Sequence, residues 1–229
     1  MLQGWHELGS IHWRYDPDVV QALLPAGFTV DVFDGSAWVG LIPFTMRRVR
    51  LPHLPAFGRL STFAETNVRT YVRDARGRSA VWFFSLDIDR LIPALVARVS
   101  YRLPYCWATM SIERIGDEIT YRSRRRWPAG DAVNAASAIS IRIGAPVAPA
   151  DVDPVQVFLT AKWALGTRFG RRLMWAKVEH QPWPIQAATL LSCDETMLTA
   201  AGLPAPTGDP VVLWSPGVDV RIALPRRVR

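Results

Sequence analysis

The sequence predicts an α+β protein that is mainly β, with long antiparallel strands and a few short peripheral helices. Three observations lead there. Strand-length runs rich in β-branched and aromatic residues recur from Phe28 to the C-terminus. Tight-turn signals join several of them in pairs, at Asp34-Gly35, Asp74-Ala75-Arg76-Gly77 and Ile115-Gly116-Asp117, so those neighbours run antiparallel. Segments with helical spacing are few and short. Strands of this length coil or close into a barrel. The 229 residues, 49% of them hydrophobic, can bury a sizeable core and fit one domain over residues 1–229.

The elements follow in order. Asp16 caps a short helix that has Pro17 in its first turn and runs to Leu24, where Pro25 and Gly27 end it. Phe28 to Phe33 and Ala37 to Val49 form a hairpin, with Pro43 marking an edge or a bulge. Residues 51–60, with two prolines and a glycine, read as a loop suited to a mobile flap. Thr62 to Arg73 and Ala80 to Asp87 form the second hairpin. Asp89 to Arg102 is helical, with Leu91, Leu95, Val96 and Val99 near helical spacing. Tyr105 to Arg114 and Glu118 to Arg125 form the third hairpin, and Ala138 to Ile143 is a further strand. Asp153-Pro154 opens a helix reaching about Leu165. Arg172 to His180 and Ile185 to Ser192 are strands, Asp194 to Ala201 is a short helix, and Val211 to Ser215 and Val218 to Leu224 close the chain.

Composition bounds the function. The net charge is +7 and the pI near 10.1, yet all but two of the 27 basic residues are arginine, the exceptions being Lys162 and Lys177. The densest basic runs, Arg122, Arg124, Arg125 and Arg126 and the tail Arg226, Arg227 and Arg229, read as a solvated turn and a frayed terminus, and no nucleic-acid motif accompanies them. Nucleic acid and membrane are therefore not expected as partners. Cys106 and Cys193 make no disulfide framework and lack metal-ligand spacing, which suits a reducing cytoplasm. The N-terminal residues do not read as a signal peptide, and every apolar stretch is broken before membrane-spanning length. The four histidines are scattered, so no metal site and no cofactor are expected.

Chemistry concentrates on the strand Phe63 to Tyr71. Side chains alternate along a strand, so Glu65, Asn67, Arg69 and Tyr71 share one face. An acid, an amide, a guanidinium and a phenol in a row suit a small polar or carboxylate ligand. The competing reading is the wet outer face of an antiparallel sheet. A second candidate lies in Trp175 to Trp183. There Lys177 would act as a Schiff-base amine and His180 as an acid or base, against a reading of Lys177–Glu179 as a surface ion pair. His12, set among aromatics before the first helix, is another titrating group, or a structural one.

His12-Trp13 precedes a short helix ending at Leu23-Leu24-Pro25. Phe33-Asp34-Gly35, Ala37-Trp38-Val39-Gly40, Pro43-Phe44 and Glu65-Thr66-Asn67-Val68-Arg69-Thr70-Tyr71 follow. The series ends with Trp82 to Asp87, Leu103-Pro104-Tyr105, Val178-Glu179-His180 and Pro182-Trp183. In this order the motifs resemble the YqjF-like family of uncharacterised proteins. That family is similar, more distantly, to acetoacetate decarboxylase, which implies an antiparallel β-barrel or cone around a largely apolar cavity. Acetoacetate decarboxylase works through a Schiff-base lysine in a Pro-Lys-Lys run. The matching segment here retains Pro104 but has Tyr105 and Cys106 where the lysines would stand. The resemblance also matches Glu65 to a cavity glutamate.

Three functions are therefore expected in competition. The first is a protein holding a small organic acid or carbonyl compound in an internal cavity. Glu65 would be acceptor or base, Arg69 would pair with the anion, and Asn67, Tyr71 and Tyr105 would orient the ligand. The second is a Schiff-base lyase or aldolase-dehydratase using Lys177. The third is a basic interaction protein using the arginine run. A homo-oligomer is compatible with all three.

Overall fold

The computed structural model describes residues 1–50, 58–128 and 134–228. Among these residues thirteen strands join in one sheet. They are β1 (Leu2–Tyr15), β2 (Phe28–Val30), β3 (Ala37–Arg50), β4 (Phe63–Asp74), β5 (Ser79–Ile88), β6 (Tyr105–Ile115) and β7 (Glu118–Trp127). The remainder are β8 (Ala136–Pro146), β9 (Ala164–Phe169), β10 (Arg172–His180), β11 (Gln186–Glu195), β12 (Val211–Ile222) and β13 (Arg226–Arg227). Four short helices flank them: α1 (Pro17–Gln21), α2 (Leu91–Ser100), α3 (Pro154–Thr160) and α4 (Met197–Ala200). The pairing is antiparallel except where β5 meets β6 and β9.

The sheet closes on itself in two places. β5 pairs with β4, β6 and β9, and β12 pairs with β1, β10 and β11. The run β12-β1-β3-β4-β5 is thus bridged twice, once by β9 and β10 and once by β6, β7, β8 and β11. Each bridge covers a different face. Ile42 and Phe44 of β3 pack into one core with Leu86, Val178 and Val220; Val39 and Leu41 pack into the other with Ile119, Ile139 and Ile141. This explains why β3 is buried at eight successive positions, Ala37 to Phe44. A strand covered on both faces shows no alternation of exposure.

Several expectations need correction. Leu2 to Tyr15 was not expected as a strand, because a register shift against β3 between His6 and Ile11 breaks its period-two pattern. Pro43 lies opposite that irregular stretch, where β1 needs no regular ladder bond from it. The helix expected to reach Leu165 stops at Thr160, and Ala164 begins β9 instead. Its start is as expected: Asp153 accepts from the Gln156 amide at 2.9 Å and Gln156 reaches back to Asp153. The last two strands are one, β12, running through Pro216-Gly217. On α2, Leu91, Leu95 and Val99 face outward while Ala94 is buried. The flap expected over 51–60 lies, through residue 57, outside the described residues; 58–61 form a single 3₁₀ turn.

The arginine run is not uniformly solvated. Period-two alternation turns Arg125 inward, where it makes a bidentate pair with Asp87 at 2.7 and 2.9 Å, both side chains almost fully buried. Arg122 faces Glu113 at 3.6 Å and Arg126 donates to Thr109, so the run is divided among separate partners. No helix among the described residues is long and apolar enough to cross a membrane.

Candidate functional site

The core between β9–β10 and the β1-β3-β4 face holds a partly open cavity of about 50 Å³. A buried water needs about 10–15 Å³ on this scale, so the space suits a ligand of a few heavy atoms. Its walls are mostly apolar, with Phe44, Phe83, Leu86 and Trp183 among them. Its polar groups come largely from β4. Glu65, Asn67 and Arg69 all line it and are buried, which removes the reading of this face as a wet outer surface. The opposite face of β4 is equally closed, with Thr66, Val68 and Thr70 at or near zero exposure.

Glu65 is buried and makes no ion pair among the described residues. Burial pushes its carboxyl up to about 8, against hydrogen bonds from Asn67 and Tyr105 that pull it down and the Asp87 charge that adds to the rise. The Tyr105 hydroxyl donates to Glu65 Oε2 across a long 3.4 Å. At neutral pH the side chain is therefore a carboxylic acid, able to donate a hydrogen bond as well as accept one.

Arg69 is the contrasting group. It is 5% exposed, yet no carboxylate pairs with it among the described residues. One Nη donates to the Tyr71 hydroxyl and to the Leu159 carbonyl, both at 3.2 Å, while Nε has no partner among the described residues. The guanidinium lies between the rings of Tyr71 and Trp183, 5.6 and 5.5 Å from their centroids.

The other expected site residues divide. Tyr105 and His180 line the cavity. The His180 ring stacks on Trp163, and its two nitrogens face the carbonyls of Gln181 and Lys162 at 2.7 and 3.2 Å. Tyr71 and His12 do not line it; they lie behind Arg69, fully buried, with His12 Nε2 2.7 Å from the Tyr71 hydroxyl. Lys177 is outside altogether. Its side chain is 70% exposed and pairs with Glu179 at 2.7 Å, while Ala176 and Val178 take the inward positions of β10. The amine that belongs to the cavity wall is Lys162, on the segment between α3 and β9. Its Nζ contacts Asp31 at 3.3 Å and Ser79 at 3.1 Å and lies 3.8 Å from the Phe158 centroid. Burial lowers it to about 8, against the Asp31 carboxylate.

The sequence favours Lys177 over Lys162 as the amine, and Lys162 falls inside a stretch read as helix. The signal that could have found it was Thr160-Ala161-Lys162, a helix end followed by the β-rich run Trp163 to Phe169. Cys106, beside Tyr105, is buried, and burial raises its thiol to about 11, so it is no nucleophile at neutral pH. The described residues hold no cluster of side chains fit for a metal ion.

The sheet that surrounds this cavity is similar to that of several solved structures. The chain superposes on acetoacetate decarboxylase from Legionella pneumophila with a TM-score of 0.71 at 14% identity, covering 100% of this chain and 88% of that one. It also superposes on the enduracididine biosynthesis enzyme MppR, described in complex with pyruvate, with a TM-score of 0.63 at 14% identity, covering 99% and 89%. At such identity these likenesses establish the acetoacetate decarboxylase-like fold and nothing finer. Sequence goes further: residues 2–219 match the DUF2071 family, described as an uncharacterized conserved protein. The chain is 33% identical over 220 residues to the uncharacterized protein YqjF of Bacillus subtilis, covering 96% of this chain and 89% of that one. The protein belongs to the DUF2071, YqjF-like family.

Proposed function

We propose that the cavity binds a small organic carboxylate, with Arg69 as its ion-pair partner and Glu65 as a neutral acid facing the rest of the ligand. Arg69 carries the reading. A buried guanidinium costs several kcal/mol of lost hydration unless an anion compensates it, and a free Nε–H is a further donor without a partner. The groups that could have supplied the anion do not: Glu65 is protonated at neutral pH, and Asp31 and Asp87 are taken by Lys162 and Arg125. The cavity volume limits the ligand to a short acid, and Glu65 with Tyr105 is placed to hydrogen-bond a carbonyl or hydroxyl on it. In this reading the superfamily's reactive lysines are replaced by Tyr105 and Cys106, neither of which forms an iminium.

Titration calorimetry with two- to four-carbon carboxylates tests it. Saturable binding is expected at pH 7, weakened at least about tenfold by Arg69→Gln, since a hydrogen bond to a charged group contributes about 1.5–3 kcal/mol. Binding unaffected by Arg69→Gln would remove the proposal. Lys162 supports a second reading, because it lines the cavity with an amine lowered to about 8. A Schiff base would then form at Lys162 and not at Lys177. Borohydride trapping with pyruvate separates the two: a stable adduct on Lys162 favours the amine, and none confines the function to carboxylate binding or acid–base chemistry.

A further inference from the structure

We infer that His12 and Tyr71 are positioning residues, which hold Arg69 toward the cavity through one directed chain of hydrogen bonds. This rests on the reading of Arg69 as the carboxylate's partner.

Donor and acceptor counting gives the chain its direction. The Leu159 carbonyl can only accept, so the Tyr71 hydroxyl, 2.8 Å away, donates to it and spends its one proton there. The Arg69 guanidinium can only donate, and it does so to the phenol oxygen at 3.2 Å. His12 Nε2, at 2.7 Å, faces an oxygen with no proton left to give, so Nε2 carries the hydrogen. Nδ1 of the neutral ring is then an acceptor, and the Ser10 hydroxyl at 3.2 Å supplies the donor. Burial, and secondarily the Arg69 charge, hold the imidazole well below its usual range, so the neutral tautomer is the resident one. Ser10, His12 and Tyr71 are each 1% exposed or less, so the chain is closed to bulk water.

The surrounding chain is shaped to this arrangement. A Cβ on Gly40 would lie 2.4 Å from His12 Nε2, so only glycine leaves the ring its place. The same Leu159 carbonyl accepts from Arg69 as well, so β1, β4 and the end of α3 fix the guanidinium together. Tyr71 and His12 therefore act on the ligand only through Arg69, which explains how two polar residues can be kept in the core without lining the cavity.

The test compares affinity for propionate with affinity for propionamide, of like shape but uncharged, using the full chain at pH 7. Tyr71→Phe and His12→Leu are expected to weaken propionate about tenfold and leave propionamide unchanged. His12→Gln keeps an N–H near the Nε2 position and should restore most of the loss. A merely structural role would lower both affinities alike or neither, and an unchanged propionate-to-propionamide ratio in Tyr71→Phe and His12→Leu overturns the inference. If wild type binds propionate and Arg69→Gln binds it equally well, the reading beneath has failed instead. Should the variants not fold, nitrogen NMR of wild-type His12 decides: an Nε2–H tautomer between pH 5 and 8 is expected, and an Nδ1–H tautomer overturns the inference.

Discussion

Arg69 and Glu65 sit four residues apart on one strand face, and neither has an ion-pair partner among the described residues. The Arg69 guanidinium has no carboxylate beside it there, while burial holds Glu65 neutral up to about 8. The consequence is a pH dependence. Carboxylate affinity should be highest below pH 8 and fall as pH rises through that value, because an ionised Glu65 would repel the anion and compete for the Arg69 charge. Stability carries the same sign. The Glu65 value in the folded chain lies above its ordinary 4.5, so the folded state keeps a proton that the unfolded chain loses. Between pH 4.5 and 8 the wild type should lose stability relative to Glu65→Gln by about 1.4 kcal/mol per pH unit. Urea unfolding of both proteins at pH 5 and pH 8 measures it, and parallel stabilities would contradict the assignment. The shared face of Glu65, Asn67 and Arg69 was legible in the sequence because period two fixes facing. Whether the face was wet was not legible, since that depends on β9 and β10, which return from nearly a hundred residues away.

At the scale of elements, alternation explains most of what was read well and most of what was not. On β10, apolar Ala176 and Val178 alternate with Lys177 and Glu179, and the apolar pair took the core, leaving Lys177 to its surface partner. On β7 the same rule divided what looked like one basic run and sent Arg125 to Asp87. β1 stayed hidden because its irregular stretch between His6 and Ile11 breaks the period. Its partner β3 carries a position that sequence could not interpret: Gly40, which admits the His12 ring. Gly40→Ala should force that ring off the Tyr71 hydroxyl and cost about 1–3 kcal/mol, the usual range for overpacking a closed core. Thermal unfolding with histidine NMR checks it; an unshifted His12 resonance and an unchanged Tm would contradict the packing account.

Across the whole molecule, the double bridging of one sheet makes the cavity. β9 and β10 cover one face of β1-β3-β4 while β6, β7, β8 and β11 cover the other, and the end of α3 closes on the polar strand through Leu159 and Thr160. The expected antiparallel barrel is present, but it is partitioned, and its cavity occupies one compartment only. Lys177, the amine expected at the site, faces outward, and Lys162, on the segment after a helix that ends five residues earlier than expected, lines the cavity. The central claim is that this compartment takes a short carboxylate at Arg69. A crystal structure of the protein grown with excess propionate at pH 6.5 tests it most directly. The account predicts carboxylate oxygens within hydrogen-bond distance, about 2.7–2.9 Å, of Arg69 nitrogens inside the cavity. A cavity holding only water, with propionate found solely on surface arginines, would contradict it.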